Sequence, residues 1–184
     1  AMDKDRALIR ILEVENPPAA LIFCNTRQRT HYVAVVLQRF GYNADELSSD
    51  LGQAERQAVL NRLREGRLRF LVATDVAARG LDIPTLGCVI LYETPENPED
   101  YIHRSGRTGR AGAGGTAISL VSGLEASALL RIARAYGIAL DERILPSDEV
   151  VQGVVAERAI VLLEAAMRER DRLMVERLER FKPL

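Results

Sequence analysis

Residues 19–27 read Ala19-Ala20-Leu21-Ile22-Phe23-Cys24-Asn25-Thr26-Arg27, and this stretch decides the fold class of the chain. Its first six residues form a continuous apolar run, which predicts a strand buried on both faces rather than an alternating, half-exposed one. Asn25 begins a polar segment where the strand ends, and Thr26 is placed to cap a helix running from Arg27 to Phe40. Gly41 then ends that helix, as a C′ glycine does. A buried strand followed at once by a capped helix is the unit from which parallel sheets are built.

The same unit recurs along the chain. Further strands are predicted at 44–47, 69–73, 87–92 and 115–121, and further helices at 3–13, 53–65, 98–105 and 124–136. We expect each strand to be apolar on both faces, as in a parallel sheet with helices on both sides. The first 144 residues therefore form one α/β domain in this interpretation.

Composition limits the function classes. The chain has 184 residues, 47% of them hydrophobic, and a formal net charge of −1. This charge excludes a global positive field, so any nucleic-acid site must be local. Cys24 and Cys88 lie in apolar runs without metal-ligand or disulfide spacing, which favours free thiols and a reducing, cytoplasmic setting. No signal peptide or apolar run of about 18 residues is present, so a secreted or membrane-spanning protein is not expected.

Polar residues stand where three of the predicted strands end. They are Asn25-Thr26-Arg27, Thr74-Asp75 and Glu93-Thr94. The carboxyl ends of parallel strands meet at one edge, and ligands of open α/β sheets bind there. The sequence therefore predicts a binding site at this edge.

Arginines and glycines alternate in a second stretch, His103-Arg104-Ser105-Gly106-Arg107-Thr108-Gly109-Arg110-Ala111-Gly112. Arginine presents a planar fork of donors that matches phosphate oxygens two at a time. Glycine lets the backbone turn and lie close to a ligand. This pattern favours a polyphosphate site, with a solvated basic loop as the alternative.

Residues 145–184 form a second segment of different character. Pro146-Ser147-Asp148-Glu149 is a favourable helix start, and only helix is predicted from there to Phe181, with Gly153 as a possible kink. An unbroken helix of that length would reach roughly 40 Å or more. Its apolar stripe either packs on its own domain or, as we favour, belongs to a helical hairpin that forms a homodimer. The stripe consists of Ile160, Leu163, Met167, Met174, Leu178 and Phe181.

Four stretches together resemble motifs of the second, C-terminal RecA-like domain of DEAD-box RNA helicases. Residues 21–27 are similar to motif four, 53–56 to the adjoining Q-x-x-R element, 73–84 to motif five, and 103–110 to motif six. The resemblance covers residues 1–140. It implies a RecA-like parallel sheet flanked by helices, followed here by an all-helical C-terminal extension.

The resemblance also implies a role for individual residues. Arg107 and Arg110 would be the catalytic arginine fingers, and the other ATP contacts would be Asp82, Gly80 and His103. The RNA-binding residues would be Asn25, Thr26, Arg27, Arg56 and Thr74, supported by Phe23, Asp75 and Arg104. The alternatives are a turn cap before Pro84 for Asp82, a core position for Phe23 and a structural contact for His103.

Two departures from the family pattern accompany these matches. Ser48-Ser49 stands where the family often has His-Gly, and Ser105 replaces a branched apolar residue. The chain also lacks a G-x-x-x-x-G-K-[ST] loop and an Asp-Glu-Ala-Asp segment. ATP and its Mg²⁺ would therefore be held mainly by a first RecA-like domain, and closure of the two domains would unwind short RNA duplexes. Alone, the chain is predicted to be inactive. A double-stranded-DNA translocase and a pure assembly module are the rival functions.

Overall fold

The computed structural model describes residues 3–78, 83–84, 86–109 and 114–180, with side chains described as far as residue 174. Five strands and seven helices are found in these ranges. The strands are β1 (Ala20–Phe23), β2 (Ala44–Leu47), β3 (Phe70–Ala73), β4 (Cys88–Leu91) and β5 (Thr116–Ser119). The helices are α1 (Lys4–Glu15), α2 (Arg27–Arg39), α3 (Gln53–Arg64), α4 (Asp75–Ala78), α5 (Pro98–Ser105), α6 (Leu124–Tyr136) and α7 (Asp148–Arg180).

The five strands form one parallel sheet in the order β2-β3-β1-β4-β5. In the central register Phe23 lies level with Ala73 on one side and with Leu91 on the other. The residues that follow β1, β3 and β4 therefore emerge at the same edge. The predicted α/β fold class is confirmed.

Helices cover both faces of this sheet. Leu21 and Phe23 of β1 pack with side chains of α3, α5 and α6, and the alternate residues Ala20 and Ile22 pack with α1 and α2. This two-sided burial is what the continuous apolar run of β1 requires. The prediction that every strand is apolar on both faces is wrong for the edge strands, since β2 carries half-buried carboxylates and β5 begins with exposed residues.

Local signals set the ends of the elements. The Thr26 hydroxyl accepts a hydrogen bond from the Arg29 amide at 3.2 Å, the N-cap that the sequence predicts. Gly41 has φ +82°, the left-handed conformation that ends α2. The four-residue α4 was not predicted. Its cap is Thr74, whose hydroxyl accepts from the Ala77 amide at 3.3 Å.

The C-terminal segment is a single 33-residue helix. The predicted hairpin is therefore wrong, because no glycine or proline interrupts residues 154–180 and Gly153 is accommodated within the helix. The first turns of α7 dock on α1, where Asp148 accepts from Arg6 at 2.8 Å and from Arg10 at 2.5 Å. Among the described helices, none is both long and apolar enough to cross a membrane.

Most of α7 projects away from this docking point. Ile160, Leu163, Met167 and Met174 are 54–64% exposed, so these four side chains do not pack on the described part of the sheet domain. The side chains of Leu178 and Phe181 lie outside the described residues. The apolar stripe therefore remains available to a partner.

Candidate functional site

Arg104, near the end of α5, is the most buried charged residue described, with 2% of its surface exposed. Its Nε and Nη2 donate to the two carboxylate oxygens of Asp75 at 2.9 and 2.6 Å. Nη1 donates to the Glu93 carbonyl at 3.0 Å, and Nη2 also donates to Asn25 Oδ1 at 2.8 Å. A buried guanidinium is tolerated when its charge is paired and its donors are used, as they are here.

These bonds tie three strand ends to α5. Asn25 follows β1, Asp75 follows β3 and Glu93 follows β4. The Asn25 side chain also donates to the Thr94 carbonyl, and its backbone amide donates to the Glu93 carboxylate, both at 2.9 Å. We call this set (Arg104, Asp75, Glu93, Asn25) the arginine hub. It fixes the end of α5 relative to the carboxyl edge of the sheet.

The floor of the arginine hub is aromatic. The guanidinium carbon of Arg104 lies 5.4 Å from the centre of the Phe23 ring, within cation–π range. Phe23 itself is buried in the core. It therefore contributes both to the core and to the arginine hub.

Arg107 lies three residues beyond Arg104 in a different environment. Its backbone is fixed, since its amide donates to the Arg104 carbonyl at 3.1 Å and its carbonyl accepts from the Leu86 amide at 3.2 Å. Its half-buried guanidinium has no hydrogen bond or ion pair within the part of the chain that the structure describes. The backbone of Arg107 is thus fixed, while the donors of its guanidinium have no acceptor among the described residues.

The backbone of Arg107 does not lie at the carboxyl edge of the sheet, where the arginine hub is found. Leu86 precedes β4, so the Arg107 backbone lies beside the amino end of that strand. The reason is topological, because α5 must run back along the sheet before β5 begins. The same bond brings Arg107 next to the segment that immediately follows the motif-five stretch.

The residues that the resemblance assigns to RNA lie around the starts of α2 and α3. Arg27 pairs with Asp50 at 2.5 Å on the exposed surface. Arg56 donates from Nη2 to the Ser49 carbonyl at 2.9 Å, and its Nε is buried without a partner among the described atoms. Thr74 is buried, 7% exposed, and its hydroxyl is used as the cap of α4.

The family described as "Helicase conserved C-terminal domain" matches residues 3–112. The chain belongs to this family. Among curated relatives, the ATP-dependent RNA helicase DeaD of Escherichia coli K12 is 45% identical over 150 residues, which is 82% of this chain and 24% of the relative. The RNA helicase CrhR of Synechocystis is 38% identical over 181 residues, 98% of this chain and 36% of the relative.

Solved structures agree. The C-terminal domain of the DEAD-box protein Dbp5 has a TM-score of 0.74 at 33% identity, covering 84% of this chain and 91% of that one. The E. coli DEAD-box protein SrmB, bound to regulator of ribonuclease activity A, has a TM-score of 0.69 at 38% identity, with coverages of 80% and 85%. This helicase domain is thus the C-terminal RecA-like domain of a DEAD-box helicase, and spans about a quarter of the length of the DeaD relatives.

Several predicted site residues have no described environment. Arg110, Asp82 and Gly80 lie outside the described residues. His103 is exposed, and no hydrogen bond joins it to another described side chain. Ser105, which departs from the family pattern, donates its hydroxyl to the Tyr101 carbonyl at 2.8 Å within α5.

Cys24 and Cys88 of this helicase domain are buried free cysteines. Burial raises the pKa of Cys24 to about 12, so its thiol stays protonated at neutral pH. Within the described ranges no group of three or more His, Cys, Asp or Glu is arranged to hold a metal ion.

Proposed function

We propose that this domain is the second half of the ATPase of an RNA helicase, and that Arg107 and Arg110 contact ATP bound mainly on a first RecA-like domain. The observation that carries the proposal is the contrast between neighbouring arginines. Arg104 uses its donors within the domain, whereas Arg107 has an anchored backbone and a guanidinium without an acceptor among the described residues. Such a group is preorganised to receive phosphate oxygens without first breaking an internal bond.

The two arginines stabilise the negative charge that develops on the γ-phosphate during transfer. An arginine finger contributes about 10³ to 10⁵ in rate, which corresponds to roughly 4 to 7 kcal/mol of barrier. Asp82, Gly80 and His103 complete the contacts to ATP from this side. The first domain supplies the Mg²⁺ and most of the nucleotide affinity, so this chain alone is inactive.

RNA lies across the starts of α2 and α3 in this proposal. The Arg27–Asp50 pair has side chains 61% and 70% exposed, and such surface pairs contribute only about 0–1 kcal/mol. A phosphate therefore displaces Asp50 from Arg27 at little cost. Arg56 offers the second charge, while Thr26, Asn25 and Thr74 shape the turns that face the strand. Contacts to phosphates and 2′-hydroxyls suit an enzyme that acts on RNA of any sequence.

Closure of the two domains over ATP assembles this site and separates short duplexes, in the cytoplasm. Closure makes hydrolysis conditional on both substrates, as in other lid-gated enzymes. The arginine hub holds α5 against the sheet. The end of α5 therefore keeps its position while the two domains close.

A homodimer is the second part of the proposal, supported by the exposed stripe of α7. We assign Ile160, Leu163, Met167, Met174 and Leu178 to the interface. The first four are at least 54% exposed on a 33-residue helix, and burying such side chains is worth about 1.5–3 kcal/mol each. The same stripe on a second copy of the chain would bury these side chains in a symmetric interface.

A comparison of this chain with the full-length protein tests the enzymatic proposal against its rivals. ATP hydrolysis is measured for this chain alone and for the full-length protein, with and without RNA or double-stranded DNA. We expect no turnover by the chain alone and RNA-stimulated turnover by the full-length protein. Stimulation by duplex DNA instead would favour a translocase, and a folded full-length protein without turnover would favour a pure assembly module.

A further inference from the structure

Gly115, immediately before β5, lies against the backbone of the arginine stretch. A Cβ at this position would lie 2.4 Å from the Gly109 amide nitrogen, 2.9 Å from Gly109 Cα and 2.1 Å from Thr108 Oγ1. Ordinary contacts of a Cβ are 3.4–4 Å. Gly115 does not have positive φ, so the lack of space, and not backbone strain, requires glycine here.

The backbone of the arginine stretch also contacts the amino end of β4. The Leu86 amide donates to the Arg107 carbonyl at 3.2 Å, and the Thr116 amide donates to the Gly87 carbonyl at 2.9 Å. β4 and β5 are neighbours in the sheet. Their starting residues therefore form one rigid platform, on which the backbone from Arg107 to Gly109 lies.

Thr108 shows how closely this platform is approached. Its hydroxyl oxygen is buried without a hydrogen-bond partner among the described atoms, next to Gly115. A methyl group on residue 115 would therefore meet a hydroxyl that is already buried.

We propose that Gly115 is a positioning residue for phosphoryl transfer, because its missing side chain lets β5 hold Arg107–Gly109 where the Arg107 guanidinium reaches ATP. This inference rests on the proposed function of Arg107. Gly115 touches no substrate and acts only through the arginine stretch. A methyl group at residue 115 would lie about 1 Å too close to the Gly109 backbone, so the backbone must move by a similar amount.

A displacement of that size is expected to lower the catalytic rate strongly and the affinity for ATP only slightly. Misplacing a catalytic group by about 1 Å can lower the rate by 10²-fold. The affinity for ATP changes little, since the first domain provides most of the nucleotide contacts in the proposed function. The effect therefore falls on kcat and not on KM.

The test uses Gly115→Ala in the full-length protein, with Gly114→Ala as the matched control. A Cβ at Gly114 meets no described atom within 4 Å. We expect Gly115→Ala to lower RNA-stimulated kcat by roughly 10- to 100-fold with KM for ATP nearly unchanged. Gly114→Ala should retain wild-type kinetics. Wild-type kcat in a folded Gly115→Ala protein would overturn the inference.

A double-mutant cycle with Arg107→Ala separates positioning from general damage. If Gly115 acts through Arg107, the double variant is no slower than Arg107→Ala alone. Independent, multiplicative losses would contradict the inference. If Arg107→Ala itself retains wild-type kcat, the proposed function fails instead, so the two failures are distinguishable.

A second variant covers the case in which Gly115→Ala does not fold. Gly109 has φ +67°, so Gly109→Ala disturbs the same contact from the loop side through backbone strain. We expect the same fall in kcat and the same absence of a further loss in the Arg107→Ala background. A folded Gly109→Ala protein with normal kcat would overturn the inference.

Discussion

Arg104 and Arg107 are three residues apart in the helicase domain, and their environments assign them opposite roles. The Arg104 guanidinium is buried and donates to a carboxylate, a carbonyl and an amide oxygen. The Arg107 guanidinium is half-buried and has no acceptor among the described residues. Residue type alone does not separate these roles. The partners that follow β1, β3 and β4 do.

Arg104→Ala is expected to destabilise the domain by about 3 kcal/mol, because removing one partner of a buried ion pair leaves the other uncompensated. Arg104→Lys should recover only part of this loss, since an ammonium cannot reproduce the bidentate contact with Asp75. Urea unfolding of the isolated chain, followed by circular dichroism, measures both effects.

Arg107→Ala is the matched comparison for this unfolding experiment. Its guanidinium makes no internal bond in the described structure, so a change within about 0.5 kcal/mol is expected. An Arg104→Lys protein as stable as the wild type would contradict the description of the arginine hub.

At the scale of elements, the strands and helices of the sheet domain were predictable because their signals are local. The apolar run before Asn25, the Thr26 cap and Gly41 each act within a few residues, and the structure places β1 and α2 accordingly. The wrong hairpin prediction for the C-terminal segment also has a local cause, the absence of glycine and proline from residues 154–180. Nothing between residues 154 and 180 breaks the helix, so the hairpin expected from packing needs does not form.

The exposed stripe of α7 leads to a prediction about association. The isolated chain, of 20.4 kDa, is expected to show twice that mass by light scattering at high concentration. Leu163→Glu should shift the mass to that of the monomer, because a carboxylate at a buried interface position is costly to desolvate.

Arg168→Ala, a change at an exposed position of the same helix whose partner is Glu164, should leave the dimer intact. A monomer mass for the wild-type chain at every concentration would remove the homodimer from the account.

At the scale of the whole molecule, the site depends on contacts that local patterns do not predict. The bond from Arg104 to Asn25 joins residues 79 apart in sequence. The bond from Leu86 to Arg107 and the approach of Gly115 to Gly109 likewise depend on how α5 returns along the sheet. Motif resemblance selects the residue types, but only the fold shows that Arg104 donates to three neighbours while the Arg107 guanidinium has no acceptor among the described residues.

At the same scale, the proposed function makes this domain one half of an enzyme. Its described residues offer anion-binding arginines and a rigid frame, and its sequence contains no phosphate-binding G-x-x-x-x-G-K-[ST] loop. In the proposed function, catalysis arises only when the surface carrying Arg107 closes on a nucleotide held elsewhere. The arginine hub and the β4–β5 platform keep that surface in shape before closure.

The most direct test of this account is the RNA-stimulated ATPase rate of the full-length protein carrying Arg107→Ala or Arg110→Ala. Each variant is predicted to lose about 10³-fold or more in kcat while retaining RNA affinity and thermal stability. Arg143→Ala, at an exposed site paired with Asp141, is the control and should retain the wild-type rate. Wild-type turnover by a protein lacking both Arg107 and Arg110 would contradict the account.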